Sequence, residues 1–110
     1  MKKLNKKEMS KVSGGYYSTT TKEAIERHKG SPVDKYDGWE NSTYIFERMP
    51  YYLMVGKLVN SYEDDQGYGT TARRHKVEVM DIYVEAGYGF NIGSIADISA
   101  DLCQMYEYVD

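Results

Sequence analysis

The C-terminal end of the chain has the most regular pattern of apolar positions. Apolar residues recur there at alternating spacings of three and four, which is typical of one face of an amphipathic helix; they are Ile95, Ile98, Leu102, Met105 and Val109. At the start of this stripe, Ser94 and Asp97 form an acidic variant of the capping box. The pattern therefore predicts a C-terminal helix that can cover one face of a sheet.

The middle of the chain has patterns that indicate β-strands. Three strands are predicted, over residues 44–46, 51–62 and 73–88. The second is apolar on both faces and contains Gly56, which indicates a bulge or a site of close packing. In the third, the apolar positions change face between Val79 and Met80, which a bulge or burial on both sides would explain. The polar residues 63–72 between these two strands are predicted to form a loop.

A second, shorter helix is predicted before the strands. Thr20 begins a capping box whose glutamate follows three positions later, so a helix is expected over residues 21–29, ending at Gly30. Residues 30–43 are rich in turn formers and are expected to connect this helix to the sheet. One helix before and one after a small antiparallel sheet of about three strands gives an α+β fold.

Length and composition limit the classes of protein. The 110 residues allow one small domain. The longest apolar run, residues 51–55, is far shorter than the ~20 residues of a membrane-spanning helix, so no transmembrane segment is expected. The formal net charge of −3 argues against a nucleic-acid binder. The single cysteine, Cys103, cannot form an internal disulfide.

The charge is unevenly distributed along the chain. Residues 1–15 contain five lysines and one acid, a net charge of +4, and no aromatic residue. The remaining 95 residues contain nine basic and sixteen acidic side chains, a net charge of −7, and all of the tyrosines. A basic segment that ends in Gly-Gly, followed by an acidic and aromatic body, indicates two units joined at a hinge.

The apolar residues of the basic segment are too far apart for a secretory signal peptide, which needs a continuous apolar stretch of about 7–15 residues. Their spacing suits one face of a short helix that forms against the groove of a partner. Gly14 and Gly15 follow it. An extended diglycine has no side chains, so it can pass through a narrow protease cleft that a β-carbon would block.

In these residues the chain resembles the double-glycine leader peptides of bacteriocin-type precursors. Counted back from a cut after Gly15, the family pattern has apolar residues at four, seven and twelve and an acid at eight, and these places hold Val12, Met9, Leu4 and Glu8. The resemblance covers only residues 1–15. It implies cleavage between Gly15 and Tyr16 by the peptidase domain of a dedicated ABC exporter, which recognises the leader and releases residues 16–110 as the mature protein.

The resemblance implies a secreted, bacteriocin-like protein that is made in the bacterial cytoplasm and acts on competing bacteria. A target-cell receptor and an immunity protein are then its expected partners, because the acidic body is poorly suited to adsorption on anionic lipid. One alternative is an exported interaction or signalling module with no toxicity. Another is a small cytosolic enzyme, adaptor or binding protein whose N-terminus resembles a leader by chance.

Several residues are candidates for chemistry, and none predicts an enzyme, a metal site or a cofactor. Cys103 with His75 or His28 would supply a thiol and an imidazole, but a lone buried cysteine is more commonly a small hydrophobe. The acidic run Glu63, Asp64 and Asp65 offers oxygen ligands for calcium, although a solvated turn is the simpler interpretation.

The remaining candidates concern surfaces. Gly89 and Gly93 form a GxxxG spacing, which occurs in packed membrane helices, but turn glycines are the better interpretation beside the acids that follow. The basic run of residues 73–76 is too isolated to indicate DNA contact. The 12 tyrosines suit either a binding surface or ordinary half-buried strands.

Overall fold

The computed structural model describes residues 23, 25–34 and 39–109. These residues form one antiparallel sheet of six strands in the order β1-β6-β2-β3-β4-β5. The strands are β1 (Lys29–Val33), β2 (Thr43–Arg48), β3 (Tyr52–Gly67), β4 (Thr70–Glu85), β5 (Ile95–Ser99) and β6 (Gln104–Tyr108). The α+β expectation is therefore wrong: the described part of the chain is mostly antiparallel sheet.

The predicted C-terminal helix is instead two short strands, β5 and β6, which are joined by residues 100–103 and pair with other strands, not with each other. Ile98 and Met105 are buried, whereas Ile95, Leu102 and Val109 are about half exposed. β5 alternates between exposed and buried positions with the period of two of a strand, and β6 buries Met105 on one face while Tyr106 and Tyr108 are half-buried on the other. The turn between the two strands shifts the alternation, so the combined pattern imitates helical spacings of three and four.

The predicted N-terminal helix over residues 21–29 is also wrong, because the described residues keep only one helical turn, in which the Arg27 N–H donates to the Glu23 carbonyl at 3.4 Å. The His28 N–H donates to the Ile25 carbonyl in a single turn, at 2.9 Å, and the chain is already in β1 at Lys29. Pro32 is tolerated in β1 because this strand lies at the edge of the sheet. The rest of the predicted helix, residues 21, 22 and 24, lies outside the described residues.

The three strands predicted in the middle of the chain lie within β2, β3 and β4. The expected bulge is confirmed: Val55 pairs with Asp81 and Gly56 with Val79, which leaves Met80 as the extra residue. The close approach at Gly56 is also present, because a β-carbon there would overlap Val77. The predicted loop over residues 63–72 is wrong except for the turn at Tyr68 and Gly69, since the other residues continue β3 and β4.

The sheet folds over on itself. β5 and β6 are separated by three strands in the sheet order, which in a flat sheet would place them ~19 Å apart. Yet a tight turn joins them, in which the Cys103 N–H donates to the Ala100 carbonyl at 3.4 Å. Bulges in β3 and β4 supply the bend. The rings of Phe46 and His75 lie 6.4 Å apart as a result, although β3 separates their strands.

The main core lies between the two facing halves of the folded sheet. Every strand from β2 to β6 contributes apolar side chains to it, and its fully enclosed members include Phe46, Met54, Leu58 and Val77. A second apolar cluster lies on the opposite face of β2, β3 and β4. In it, Ile25 packs against Ile45, Leu53, Val55, Tyr83 and Val84. Side chains of β3 therefore pack on both faces, as their continuous apolar run indicated.

Candidate functional site

The residues predicted for leader recognition and cleavage lie outside the described residues. They are Leu4, Glu8, Met9, Val12, Gly14, Gly15 and Tyr16. The described sheet begins at Lys29 and contains none of them. The candidate sites that the structure can describe therefore belong to the predicted mature protein.

Cys103 is buried and is not paired with a histidine through a hydrogen bond in the described part of the chain. Its Sγ donates to the Gln104 carbonyl at 3.5 Å and lies beside the Tyr52 hydroxyl. Burial raises the pKa of the Cys103 thiol to about 11, so the reactive thiolate is scarce at neutral pH. The His28 ring is engaged elsewhere: its Nδ1 lies 2.9 Å from the Val109 carbonyl, and it stacks on Tyr108. The thiol–imidazole alternative has no geometric support here.

His75 lies fully inside the main core, and neither ring nitrogen has a hydrogen-bond partner. Burial, followed by the positive charge of Arg73, lowers its pKa to about 4. The ring is therefore neutral at pH 7 and packs as an aromatic side chain against Phe46. The basic run of residues 73–76 is split by strand alternation, because His75 points into the core while Arg74 and Lys76 lie on the outer side.

The acidic run Glu63, Asp64 and Asp65 has structural partners near the end of the β3–β4 hairpin. Asp65 Oδ1 accepts the Gly67 N–H at 2.8 Å, and Asp64 Oδ2 accepts the Gln66 amide at 2.9 Å. Glu63 forms an ion pair with Arg73 at 3.4 Å. No cluster of three or more potential metal ligands occurs within residues 23, 25–34 and 39–109. The three acids therefore take part in the hairpin and its turn.

Gly89 and Gly93 lie in the connection between β4 and β5, with φ angles of 73° and 90°. These left-handed conformations suit turn glycines and exclude a helical GxxxG at this position. The Glu85 carboxylate organises the same connection by accepting hydrogen bonds from the N–H groups of Gly87 and Gly89, each at 2.9 Å.

In the part of the chain that is described, no helix is long and apolar enough to cross a membrane.

One exposed surface is an aromatic cluster of Arg48, Tyr51, Tyr52, Tyr88 and Phe90. Tyr52 lies beneath it, fully buried, with the rings of Tyr88 and Phe90 each 5.4 Å away. The Arg48 guanidinium lies 4.9 Å from the Tyr51 ring centre and donates to the Tyr88 hydroxyl at 3.0 Å. Tyr51 and Tyr88 stay partly exposed. Clustered tyrosine and arginine are the residue types that dominate binding hot spots.

A second polar group joins β3, β4 and β5 on the outer side of the sheet. Arg74 Nε donates to Asp97 Oδ1 at 2.7 Å, its Nη2 donates to the Asp97 carbonyl at 3.0 Å, and the Tyr62 hydroxyl donates to Asp97 Oδ2. Burial opposes ionisation of Asp97, but these hydrogen bonds outweigh it and lower the pKa of the carboxyl. The same bond to Asp97 raises the pKa of Tyr62. This group fastens the hairpin where it leaves the body.

Beyond that group, the outer parts of β3 and β4 form a two-stranded ribbon, residues 63–72. Pairing of β4 with β5 stops at Arg74 and pairing of β3 with β2 stops at Lys57. Tyr68 lies at the turn of the ribbon and is completely exposed.

A pocket of about 330 Å³ lies elsewhere, between the end of β1 and the β5–β6 turn. It is lined by Pro32, Val33, Asp34, Ala100, Asp101, Cys103, Gln104 and Met105.

The tyrosines thus divide between the two roles that the sequence left open. Tyr44, Tyr52 and Tyr83 are core residues, whereas Tyr51, Tyr68 and Tyr88 are exposed. The strand period alone did not separate them, because the exposed ones lie in turns. The aromatic cluster brings together residues from distant parts of the sequence, whereas the ribbon is a local hairpin, and both arrangements suit binding of another molecule.

Comparison of the chain with protein-family models, with curated proteins and with solved structures finds no match.

Proposed function

We propose that this chain is the precursor of an exported, bacteriocin-like protein. Residues 1–15 act as a double-glycine leader, the peptidase domain of an ABC exporter cuts after Gly15, and residues 16–110 are secreted. The observation that carries the proposal is the joint fit of the four leader positions and the diglycine, namely Leu4, Glu8, Met9, Val12, Gly14 and Gly15.

The layout of the fold is compatible with removal of this segment. All six strands of the described sheet lie at Lys29 or later, so the cut takes away no strand. The main core is built from β2 to β6, more than 25 residues beyond Gly15. Processing in this proposal therefore leaves every strand of the described sheet in the mature protein.

The mature protein acts, in this proposal, through contacts of its folded state. Its apolar side chains lie mainly between the halves of the folded sheet, so they are not presented to lipid. Its net charge of −7 disfavours adsorption to anionic bacterial membranes. A protein receptor on the target cell therefore fits better than insertion into the bilayer. An immunity protein would protect the producing cell by occupying either the receptor or the surface of the mature protein that binds it.

Processing tests the leader directly. The full chain is incubated with the purified peptidase domain of an exporter for double-glycine leaders, and the products are measured by intact mass. The expected product is residues 16–110. Gly14→Leu should block the cut because its side chain does not fit the cleft, whereas Lys6→Ala, outside the leader pattern, should be cut like the parent. Equal cleavage of the Gly14→Leu chain, or no cleavage of the parent, would contradict the proposal.

Growth assays separate toxicity from mere export. Purified residues 16–110 are added to a panel of bacterial strains, and both growth inhibition and cell binding are recorded. Inhibition of at least one strain supports the bacteriocin-like role. The second candidate, an exported interaction module, is favoured by the exposed tyrosines and Arg48. Cell binding without inhibition, by a chain that the peptidase cuts, would support it instead.

A further inference from the structure

We propose that the ribbon is a docking arm, and that Tyr68 at its turn inserts into an apolar pocket with a cationic rim on a surface protein of the target cell. The inference rests on the proposed function, because it names the contact through which the exported protein would act. Its failure and the failure of that function give different experimental results, as set out below.

The ribbon is held away from the body of the protein. β3 and β4 are 16 residues long, but neither β2 nor β5 extends alongside residues 63–72. The longest dimension of the molecule is 44 Å, against 27 and 21 Å for the other two. The turn of the ribbon is open to a partner, since Tyr68 there is fully exposed.

Tyr68 is an unusual residue for this turn. Its φ is 55°, between Gly67 at 84° and Gly69 at 74°, and such left-handed turns favour glycine, asparagine or aspartate over an aromatic residue. Its side chain is fully exposed, so no packing within the chain offsets the unfavourable backbone. Neither the turn nor the core accounts for a tyrosine here, whereas recognition does, because tyrosine is a common anchor at interfaces.

The turn is also ordered before any partner binds. Asp65 accepts the Gly67 N–H, and the Thr70 hydroxyl donates to the Gly67 carbonyl, each at 2.8 Å. The ion pair of Glu63 with Arg73 joins the two strands at the base of the ribbon. A side chain presented on a preorganised turn loses less conformational entropy on binding than a side chain on a flexible loop.

The charge of the ribbon defines the partner. Residues 58–72 contain three acids, Glu63, Asp64 and Asp65, and no lysine or arginine. The nearest basic side chains, Arg73 and Arg74, are paired with Glu63 and Asp97. A pocket rimmed by lysine or arginine complements this charge and speeds association, whereas an anionic lipid surface repels it.

The test measures binding of labelled residues 16–110 to intact cells of the strain panel, and compares variants. Tyr68→Ser should weaken binding at least tenfold, and Tyr68→Phe should restore most of it. Trp39→Ser removes another exposed aromatic side chain outside the ribbon and should leave binding unchanged. Asp64→Lys should slow association and flatten its salt dependence. Melting curves show that each variant remains folded.

Two further measurements identify the kind of partner. Treatment of the cells with an external protease should abolish Tyr68-dependent binding, and vesicles of phosphatidylcholine with phosphatidylglycerol should bind neither parent nor variant. Equal binding by parent and folded Tyr68→Ser overturns the docking arm while leaving the proposed function intact. Binding that survives protease treatment, Tyr68-dependent binding to the vesicles or Tyr68-dependent self-association in sedimentation also overturns it. A correctly processed chain that binds no cell of the panel overturns both the arm and the bacteriocin-like role.

Discussion

The two long strands of the protein behave differently along their length. In their inner part, Leu53, Met54 and Val55 of β3 are fully buried, and so are Val77, Val79 and Val84 of β4. In their outer part, the ribbon, the same two strands continue to pair while their side chains lie largely in water. Backbone pairing is therefore common to both regions, and only the inner region contributes a large amount of apolar burial. Stability should be concentrated there, and the ribbon is free to vary for recognition.

The largest expected effect comes from truncating a side chain at the bend between the two regions. Leu58 is fully buried and its neighbour Val59, the extra residue of a bulge, is 38% exposed. Leu58→Ala should lower the free energy of unfolding by about 2–5 kcal/mol, a large share of the ~5–15 kcal/mol available to a small domain. Val59→Ala should cost less than about 1 kcal/mol. Denaturant unfolding of both variants checks the difference; equal losses would contradict the folded-over sheet.

A second pair separates two β-strands from one C-terminal helix. A single helical stripe would bury Leu102 and Met105 alike, but Met105 is 2% exposed and Leu102 is 56% exposed. Met105→Ala should therefore cost about 2–5 kcal/mol and Leu102→Ala less than about 0.5 kcal/mol. Urea titration of the two variants and the parent measures both values. A comparable loss of unfolding free energy in Leu102→Ala would contradict the two strands and favour a C-terminal helix.

Acid should destabilise the core through His75. Its pKa in the folded protein is about 4, below the ordinary value of 6.5, because its burial disfavours the charged ring. The unfolded chain therefore takes up the proton first. The contribution of His75 to stability should be complete above pH 6.5, fall by about 3 kcal/mol as the pH decreases to 4, and level off below that. His75→Leu should remove this part of the pH dependence, and an unchanged profile would show that His75 is not enclosed.

The smallest effect is expected at the turn of the ribbon. Tyr68 has a left-handed backbone and no intramolecular contact to compensate for it. Asparagine adopts this conformation more readily, so Tyr68→Asn should raise the free energy of unfolding by up to about 1 kcal/mol. Thermal melting compares it with the parent and with Tyr68→Ala, which should change little. A clear loss of stability in both variants would show that Tyr68 packs on the protein.

Sequence patterns located the parts of the sheet that are buried and long. Three features were predicted because each changes the alternation of apolar and polar side chains. They are the apolar run of β3, the close packing at Gly56 and the bulge at Met80. The ribbon was predicted as a loop because both of its faces are polar and no alternation remains. β1 was missed because Gly30 and Pro32 are unfavourable in most strands, but they are accepted at a sheet edge.

The C-terminal error has a different cause. Two strands of five residues with a turn between them bury Ile98 and Met105, seven positions apart, which is also two turns of a helix. Nothing local distinguishes the two, and only the neighbouring strands β4 and β2 do. The aromatic cluster was likewise not predictable from local patterns, since its residues come from the β2–β3 turn with the strand ends beside it and from the β4–β5 connection, which the fold brings together.

Amide hydrogen exchange along residues 16–110 tests the contrast between the inner strands and the ribbon most directly. We expect the slowest exchange in Tyr52 to Leu58 and in Val77 to Val84, at a free energy close to that of global unfolding. Exchange in residues 65–71 should be faster by several orders of magnitude, and β5 and β6 should be protected as separate strands, with an unprotected turn at residues 100–103. Continuous protection from Ile95 to Val109, or exchange as slow in the ribbon as in the inner strands, would contradict this account.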